Sequence, residues 1–161
     1  MDASGDAYSR IKSLLDAEGA AYREAHHEPT RTSEGSAKAR GEELKNGGKS
    51  LLLKVGDEFR LFTFSAALAL DSRPLKERFS TRYVRFATKE ELLVLTGLVP
   101  GCVPPFGRPV LPFELYVDDS ITKNERIAFN AGSLTDSIIM PVNEYLRAAK
   151  PVVFRFAASR D

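Results

Sequence analysis

The fold of this chain is decided by a hairpin-forming stretch, Ser50-Leu51-Leu52-Leu53-Lys54-Val55-Gly56-Asp57-Glu58-Phe59-Arg60-Leu61-Phe62-Thr63-Phe64. Residues 50–55 form a short apolar run, which is typical of a strand buried on both faces. Gly56-Asp57 is a turn signal, and residues 59–64 show the alternation of a strand with one solvated face. The stretch therefore predicts an antiparallel hairpin whose first strand is buried.

Helices and short strands are predicted on both sides of this hairpin. The first helix, over residues 8–18, places Ile11, Leu14 and Leu15 at helical spacing, and Gly19 ends it. A later helix begins at a capping box, with a hydroxyl at Thr88 and a glutamate three residues on. The same signals predict further helices at 32–40, 75–79 and 142–148, and strands at 22–27, 82–86, 113–117, 126–130, 137–140 and 152–156.

Length and composition are those of a single-domain globular protein. The 161 residues fit one domain, taken as residues 1–161 with a core at about 8–156. The predicted elements make it an α+β domain with a central mixed β-sheet flanked by helices. The one cysteine, Cys102, excludes an intramolecular disulfide.

Charge and hydropathy narrow the function classes. The 23 basic and 22 acidic side chains give a net charge of +1, unlike proteins that grip long DNA or RNA through many phosphates. A local contact with an RNA end stays compatible with this balance. No apolar run is long enough to predict a membrane helix, and residues 1–6 do not resemble a signal peptide. We therefore expect a cytoplasmic protein, with residues 157–161 as a loose tail.

A segment rich in proline and glycine, residues 97–109, follows the helix that begins at Thr88. Four prolines and three glycines in 13 residues exclude a helix or a central strand. Because prolines cannot donate hydrogen bonds and glycines allow close approach, this loop is expected to offer backbone carbonyls to a ligand. The alternative is a stiff connection over the core.

Two other segments are candidates for a binding site. Lys49 follows two glycines and precedes the buried strand, so its ammonium could bind a phosphate or stabilise a developing negative charge. A solvated lysine at the end of a turn is the alternative. The segment 130–137 combines a glycine with small polar side chains, and it either lends polar groups to a pocket or forms a self-bonded turn.

Metal and nucleotide-cofactor sites are not predicted. His26 and His27 are adjacent, so on a strand they face opposite sides, and no third ligand is near them in sequence. A nucleophilic pair between Cys102 and a histidine stays open, without a specific signature. No nucleotide-binding glycine motif is present. The basic residues around the second helix are a candidate patch or a solvated helix face: Lys38, Arg40, Lys45 and Lys49.

Taken in order, these features resemble the YbaK/EbsC/ProX family, editing domains that also occur within bacterial prolyl-tRNA synthetases. The resemblance covers about residues 8–150. It rests on the order of several short motifs and not on any one of them. These are Thr32-x-Glu34, Lys49-Ser50-Leu51-Leu52-Leu53, Phe62-Thr63-Phe64-Ser65 with Arg73-Pro74-Leu75-Lys76, Thr96-Gly97, Gly101-Cys102-Val103-Pro104-Pro105 with Phe106-Gly107, Tyr116-Val117-Asp118, and Asn130-Ala131-Gly132-Ser133-Leu134-Thr135.

The resemblance implies an aminoacyl-tRNA deacylase that hydrolyses the 3′ ester of a small amino acid, without a metal or a cofactor, through a positioned water. Lys49 would hold the terminal adenosine or its phosphate, and Gly101 would be the second catalytic position. The aminoacyl-tRNA 3′ end is the implied partner, a synthetase is a further one, and neither a membrane nor DNA is expected. The implied substrate-binding residues are Thr32, Ser50, Ser65, Cys102, Val103, Pro104, Pro105, Asn130, Gly132 and Ser133.

One position departs from the family's alanine-specific branch, in which a histidine aligns with Gly132. Alanine specificity therefore does not carry over, and esters of serine, threonine, cysteine and alanine all stay open. A glycine there would leave room for a larger side chain, or leave a polar substrate group to Ser133 and Asn130. Two other function classes also stay open: a non-catalytic module that binds tRNA or a synthetase, and a Schiff-base enzyme using Lys49.

Overall fold

The computed structural model of the chain describes residues 6–160, which form an α+β domain. Their helices are α1 (Ala7–Ala17), α2 (Ser33–Arg40), α3 (Ser72–Arg78), α4 (Lys89–Thr96), α5 (Asp119–Thr122) and α6 (Val142–Ala149), with a 3-10 helix at Leu44–Asn46. Their strands are β1 (Arg23–His26), β2 (Gly48–Val55), β3 (Glu58–Ser65), β4 (Ala69–Leu70), β5 (Val84–Phe86), β6 (Leu115–Val117), β7 (Arg126–Asn130), β8 (Asp136–Pro141), β9 (Val152–Val153) and β10 (Ala157–Ala158).

The central sheet is five-stranded and mixed, in the order β5-β2-β3-β6-β9. The hairpin predicted from residues 50–64 is its centre, because β2 pairs with β3 in antiparallel register from Gly48–Ser65 to Val55–Glu58. Strand β5 adds antiparallel to β2, whereas β6 and β9 add in parallel beyond β3. This arrangement confirms the predicted mixed sheet.

A second sheet, antiparallel and three-stranded, has the order β1-β8-β7. It joins the central sheet through a parallel bridge between Gly47 and Ala128. Gly47 precedes β2 directly, so this bridge sets the start of β2 beside the middle of β7.

Buried side chains on the two faces of the central sheet form separate apolar clusters. The larger cluster fills the space between this sheet, the second sheet, α1 and α6, and it includes Leu61, Phe106 and Tyr145. The smaller cluster lies on the opposite face under α3, and it includes Phe62 and Phe156. Alternation along β3 explains the division, because adjacent strand residues face opposite sides.

Several helix ends follow the local signals in the sequence. Thr32 caps α2 by accepting a hydrogen bond from the Gly35 amide at 2.9 Å, and Gly41 ends that helix in the left-handed conformation. Thr88 and Glu91 form the predicted capping box at the start of α4. The predicted positions of these helices are therefore confirmed.

The predicted loose tail is wrong for the described part of residues 157–161. Ala157 and Ala158 form β10, which pairs with β4, a strand that the sequence did not indicate. Buried Asp118 holds this segment by accepting hydrogen bonds from the amides of Phe156 (2.6 Å) and Ala157 (2.8 Å). Asp161 and the segment 1–5, where a signal peptide was not expected, lie outside the described residues.

None of the helices in residues 6–160 is both long and apolar enough to cross a membrane.

Candidate active site

A cleft of about 1200 Å³ opens at the first half of β2. Its walls come from α2 and the residues before it, from β2, from the turn after β3, from β5, and from the segments around Gly101 and Asn130. Strand β5 pairs with β2 only at Leu53–Val55. Strand β5 therefore leaves β2 unpaired on its side from Gly48 to Leu51, and β7 comes beside the start of this stretch through the bridge between Gly47 and Ala128.

The register places three cleft residues on one face of the central sheet. Lys49 pairs with Phe64, and Leu53, four residues along the same face of β2, pairs with Phe86 of β5. Directly paired residues in antiparallel strands point to the same side. The lysine and the two aromatic rings therefore line the same wall of the cleft.

Charge in the cleft wall is strongly asymmetric. The basic lining residues are Arg31, Arg40, Lys49, Arg85 and Arg160, and the acidic one is Glu34. These formal charges sum to +4 (five positive minus one negative), whereas the whole chain carries +1. A cleft walled with one sign of charge attracts ligands of the opposite sign, so this one suits an anion such as a phosphodiester.

Lys49 is exposed at the cleft wall and forms no hydrogen bond or ion pair with the residues described. Its charge acts on Glu34, whose pKa is lowered by its own backbone amide first, then by Arg160, with a smaller effect from Lys49. Because Glu34 is already paired with Arg160 at 3.3 Å, the Lys49 ammonium stays available for a ligand.

A polar network in the cleft wall runs from buried Arg40 through half-buried Asn130 to exposed Gly101. Arg40 Nη2 donates to Asn130 Oδ1 at 2.9 Å, and Asn130 Nδ2 donates to the Gly101 carbonyl at 2.7 Å. The Arg40 side chain is only 7% exposed, and burial lowers its pKa to about 10, so it is still protonated at neutral pH. Asn130 Oδ1 has a longer contact of 3.4 Å with the Ser137 hydroxyl.

The proline- and glycine-rich loop contributes less to the cleft than expected. Pro100, Gly101 and Val103 line it, whereas Cys102, Pro104 and Pro105 are buried outside its lining. Three of the loop's carbonyls are used inside the protein. They accept hydrogen bonds at Gly101 from Asn130, at Cys102 from the Gly132 amide, and at Pro105 from the Tyr145 hydroxyl. The loop thus anchors to the core through carbonyls that were expected to face a ligand.

Cys102 is buried, and burial raises the pKa of its thiol. Neither histidine contacts it among the described residues. His26 Nδ1 lies 2.6 Å from Asp136, and His27 Nε2 lies 2.8 Å from the Ser137 hydroxyl. A Cys–His nucleophile is therefore absent from the described structure, and the His26–His27 pair does not converge on one site.

The remaining predicted site residues divide into two sets. Thr32 and Ser50 line the cleft, although the Thr32 hydroxyl caps α2 and the Ser50 hydroxyl lies 2.7 Å from that of Thr63. Ser65 is buried outside the lining and donates to the Lys45 carbonyl. Ser133 donates to Asp136 at 2.8 Å within its own turn, in agreement with the turn interpretation.

Gly132 does not border the cleft, so the expectation that it leaves room for a substrate is wrong. Its φ of +84° is a left-handed conformation that disfavours side chains. A Cβ there would lie 3.0 Å from the Ala7 Cβ and 3.3 Å from the Tyr8 amide nitrogen. The glycine therefore allows this turn to pack against the start of α1.

Sequence reasoning missed several residues of the cleft. Arg40 was one of the basic residues interpreted as either a candidate patch or a solvated helix face, and it is buried. Thr30, Arg31 and Ser36 flank the Thr32-x-Glu34 motif, and Leu134 lies inside the 130–135 motif. Arg85, Phe86 and Arg160 lie outside every recognised motif. The free edge of β2 in the predicted hairpin is the one sequence feature that could have indicated a further strand there, which is β5. No pattern near Arg160 indicated that this residue lies in the cleft.

Residues 6–160 contain no group of three or more histidine, cysteine, aspartate or glutamate side chains placed to hold a metal ion.

Known proteins similar to this chain include aminoacyl-tRNA editing proteins. The family model described as the aminoacyl-tRNA editing domain matches residues 27–148. A multifunctional Ser/Thr-tRNA deacylase, ProXp-y of Escherichia coli strain K12, is 33% identical over 155 residues, which are 92% of both chains. A proline–tRNA ligase of Macrococcus caseolyticus is 29% identical over 83 residues, 52% of this chain and 14% of the ligase.

A solved structure shows the same fold. A crystal structure of a protein proposed to be a trans-editing enzyme for prolyl tRNA synthetase superposes with a TM-score of 0.82 at 24% identity. The match covers 96% of this chain and 99% of the other.

Proposed function

This chain belongs to the aminoacyl-tRNA editing domain family, and we propose that it is a trans-editing deacylase that hydrolyses the 3′ ester of a small amino acid on tRNA. The observation that carries the proposal is the cleft itself. Its lining contains both Lys49, which has no hydrogen bond or ion pair within residues 6–160, and Gly101.

Serine and threonine are the amino acids that the cleft fits best. Its lining includes Thr30, Ser36, Ser50 and Arg40, and the hydroxyls of Thr30 and Ser36 lie 2.7 Å apart. Such a wall can hydrogen-bond a substrate hydroxyl, and polar groups of this kind disfavour an analogue that lacks one. The E. coli relative that covers nearly the whole chain is a Ser/Thr-tRNA deacylase, which supports the same choice.

The RNA end is held by charge and stacking. Lys49 binds the phosphate next to the terminal adenosine, since an ammonium is a compact phosphate partner. Phe86 is 59% exposed on the same wall, and Tyr83, one residue before the start of the β5 pairing, is 65% exposed. Exposed aromatic rings beside cations are the usual platform for unstacked nucleotides.

The reaction is an ester hydrolysis that needs positioning more than a strong nucleophile. Water adds to the carbonyl carbon of the aminoacyl ester, and the C–O bond to the ribose breaks. The ribose oxygen takes up a proton, which yields a free amino acid and a tRNA with an intact 3′ end. The cleft contributes by holding the phosphate, the ribose and the amino acid in fixed relation to that water.

A synthetase that charges the tRNA is a natural second partner, and the cytoplasm is the compartment in which both occur. The similarity to part of a proline–tRNA ligase supports this association. Modest charge over the chain as a whole means that few phosphates are neutralised, so RNA affinity from charge alone will be weak.

The test is hydrolysis of tRNAs charged with serine, threonine, alanine, cysteine or proline. We expect the fastest turnover with serine and threonine. If the protein binds charged tRNA saturably and releases no amino acid from any of them, it is a binding module and the enzymatic proposal fails. Exclusive cleavage of alanyl-tRNA would refute the choice of substrate but keep the activity.

A further inference from the structure

Arg40 is unusual in this cleft because its guanidinium is buried and one of its donors, Nε–H, has no hydrogen-bond partner among the described residues. It lies at the last residue of α2, where burial lowers its pKa through desolvation. Among the described residues, Arg40 Nε and Arg60 Nε are the buried side-chain nitrogen or oxygen atoms that lack a hydrogen-bond partner. A buried guanidinium with an unmet donor lowers stability, so packing alone does not explain it.

The two arginines differ in their surroundings. Arg60 has a structural explanation, because its guanidinium stacks 4.7 Å from the Phe79 ring centroid and donates to the Tyr116 hydroxyl. No aromatic partner within cation–π distance is found for Arg40 in the described chain, and its one hydrogen bond goes to Asn130. Arg40 also lines the cleft, and Arg60 does not.

The hydrogen bond from Arg40 determines the orientation of the Asn130 carboxamide. A guanidinium can only donate, so the atom facing Arg40 at 2.9 Å must be the amide oxygen. The amide nitrogen is then directed at the Gly101 carbonyl, 2.7 Å away. With the carboxamide reversed, nitrogen would face guanidinium and oxygen would face carbonyl, and both contacts would be lost.

Gly101 is therefore held by a residue that lies far from it in sequence. Its φ of +91° is left-handed, and it is exposed at the cleft wall between Pro100 and Val103. A second hydrogen bond holds the next residue, since the Gly132 amide donates to the Cys102 carbonyl at 3.1 Å. The turn is also closed by its own hydrogen bond from the Cys102 amide to the Val99 carbonyl, whereas the two hydrogen bonds to the Gly101 and Cys102 carbonyls come from the 130–132 segment.

We propose that Arg40 is a positioning residue for deacylation, which acts through Asn130 to hold the Gly101 turn of the loop in its reactive geometry. This inference rests on the proposed function. Arg40 contributes one N–H donor from its buried guanidinium, and this donor fixes the orientation of the Asn130 carboxamide, whose amide nitrogen holds the Gly101 carbonyl. The reach and direction of this N–H matter more than the charge, because the shorter lysine carries its donors on a freely rotating ammonium.

The test compares Arg40→Met with Arg60→Met, which each remove one guanidinium and leave an unbranched side chain. We expect Arg40→Met to lower kcat about 10- to 100-fold with a smaller change in KM, since a misplaced loop costs reaction rate. Arg60→Met should lose stability and keep the wild-type kcat. Arg40→Lys should recover little of the rate if orientation is what Arg40 supplies.

A double-mutant cycle separates positioning from a general structural effect. If Arg40 acts through Asn130, adding Arg40→Met to Asn130→Ala should change kcat by less than about threefold. Equal fold-losses in both backgrounds would overturn the proposal, as would an unchanged kcat in Arg40→Met.

An activity-independent readout keeps this test separate from the proposed function. In the free protein, Arg40→Met should shift the backbone amide NMR signals of Gly101 and Cys102, whereas Arg60→Met should leave them in place. If wild-type protein hydrolyses no ester, the proposed function fails, and these signals still report whether Arg40 holds the loop. Unshifted signals would refute the relay.

Discussion

The surroundings of Lys49 and Cys102 restrict the chemistry that each side chain can perform. Lys49 is exposed and unpartnered among the described residues, so it suits a transient ligand. It is not enclosed in the apolar pocket that activates a Schiff-base lysine. The neighbouring thiol of Cys102 is buried with a raised pKa, which keeps it in its unreactive form. Binding of the tRNA end by charge is therefore the role that we propose for Lys49.

Gly132 provides a prediction at this scale. Replacing it with alanine should lower the free energy of unfolding by about 1–2 kcal/mol for the left-handed backbone, and by more for the contact with Ala7. The measurement is chemical denaturation of the variant against wild type.

Gly97→Ala is the matched control for Gly132→Ala. Gly97 has a φ of +76°, but a Cβ added there would have no atom within 4 Å, so this variant isolates the backbone cost. Because its added Cβ would press on Ala7, Gly132→Ala should be the more destabilising of the two. Equal losses would show that α1 moves aside freely, and that a histidine could be accommodated at this position.

Among the elements, β5 is the one that joins the cleft to the surface beyond it. The exposed hydrophobic side chains along this part of the chain are Tyr83, Phe86, Leu93, Val94, Leu95 and Val99. Phe86 is the member of this set that also lines the cleft. This element is therefore where bound RNA would leave the active site.

Phe86→Ala should weaken the reaction of aminoacyl-tRNA and spare that of aminoacyl-adenosine. Stacking of one base on an aromatic ring contributes about 1–3 kcal/mol, so KM for charged tRNA should rise about 5- to 100-fold. Val153→Ala, on the exposed strand at the opposite edge of the same sheet, is the control. A similar loss with both substrates would place Phe86 against the aminoacyl-adenosine instead of the preceding nucleotides.

The link between β5 and α4 is sensitive to acid. Arg85 and, after it, the Thr88 amide lower the pKa of Glu91 to about 2, from an ordinary value of 4.5. Because the folded pKa is the lower one, the stabilisation is complete above about pH 4.5 and is lost as the pH falls towards 2. Glu91→Gln keeps the capping hydrogen bonds and removes the charge.

The stability difference between wild type and Glu91→Gln should therefore shrink as the pH is lowered from 5 to about 2. Denaturation curves at several pH values measure it. A difference that stays constant over this range would mean that the ion pair of Glu91 with Arg85 contributes nothing.

For the molecule as a whole, local signals predicted the elements better than the site. The hairpin, the caps at Thr32 and Thr88 and the turn at Gly41 depend on residues close together in the chain, so their patterns could be recognised directly. The cleft depends on contacts between distant segments, such as Arg40 with Asn130. No pattern within either segment indicates that contact.

The loop around Gly101 shows a second limit of sequence reasoning. Its composition correctly indicated a rigid segment against the core. It could not show which carbonyls would find donors inside the protein, because those donors, Asn130, Gly132 and Tyr145, lie elsewhere in the chain. The short strand β10 was missed for the same reason, since its anchor is Asp118.

Asp118 closes the C-terminal end of the fold and gives a prediction at this scale. Asp118→Ala removes a buried acceptor of three backbone amides, those of Ser120, Phe156 and Ala157. Leaving buried donors unsatisfied should lower the free energy of unfolding by about 3 kcal/mol or more. The neighbouring variant Asp119→Ala, which breaks a surface pair with Lys123, should cost less than about 1 kcal/mol. Comparable losses would contradict an anchoring role for Asp118.

The most direct test of the account is single-turnover hydrolysis of seryl-tRNA by wild type, Lys49→Ala and Lys123→Ala. Lys123 is a surface lysine outside the cleft and serves as the matched control. We predict that wild type and Lys123→Ala release serine at similar rates, and that Lys49→Ala, still folded, is slower by about 100-fold or more. Release of serine at the wild-type rate by Lys49→Ala would contradict the assignment of this cleft as the active site.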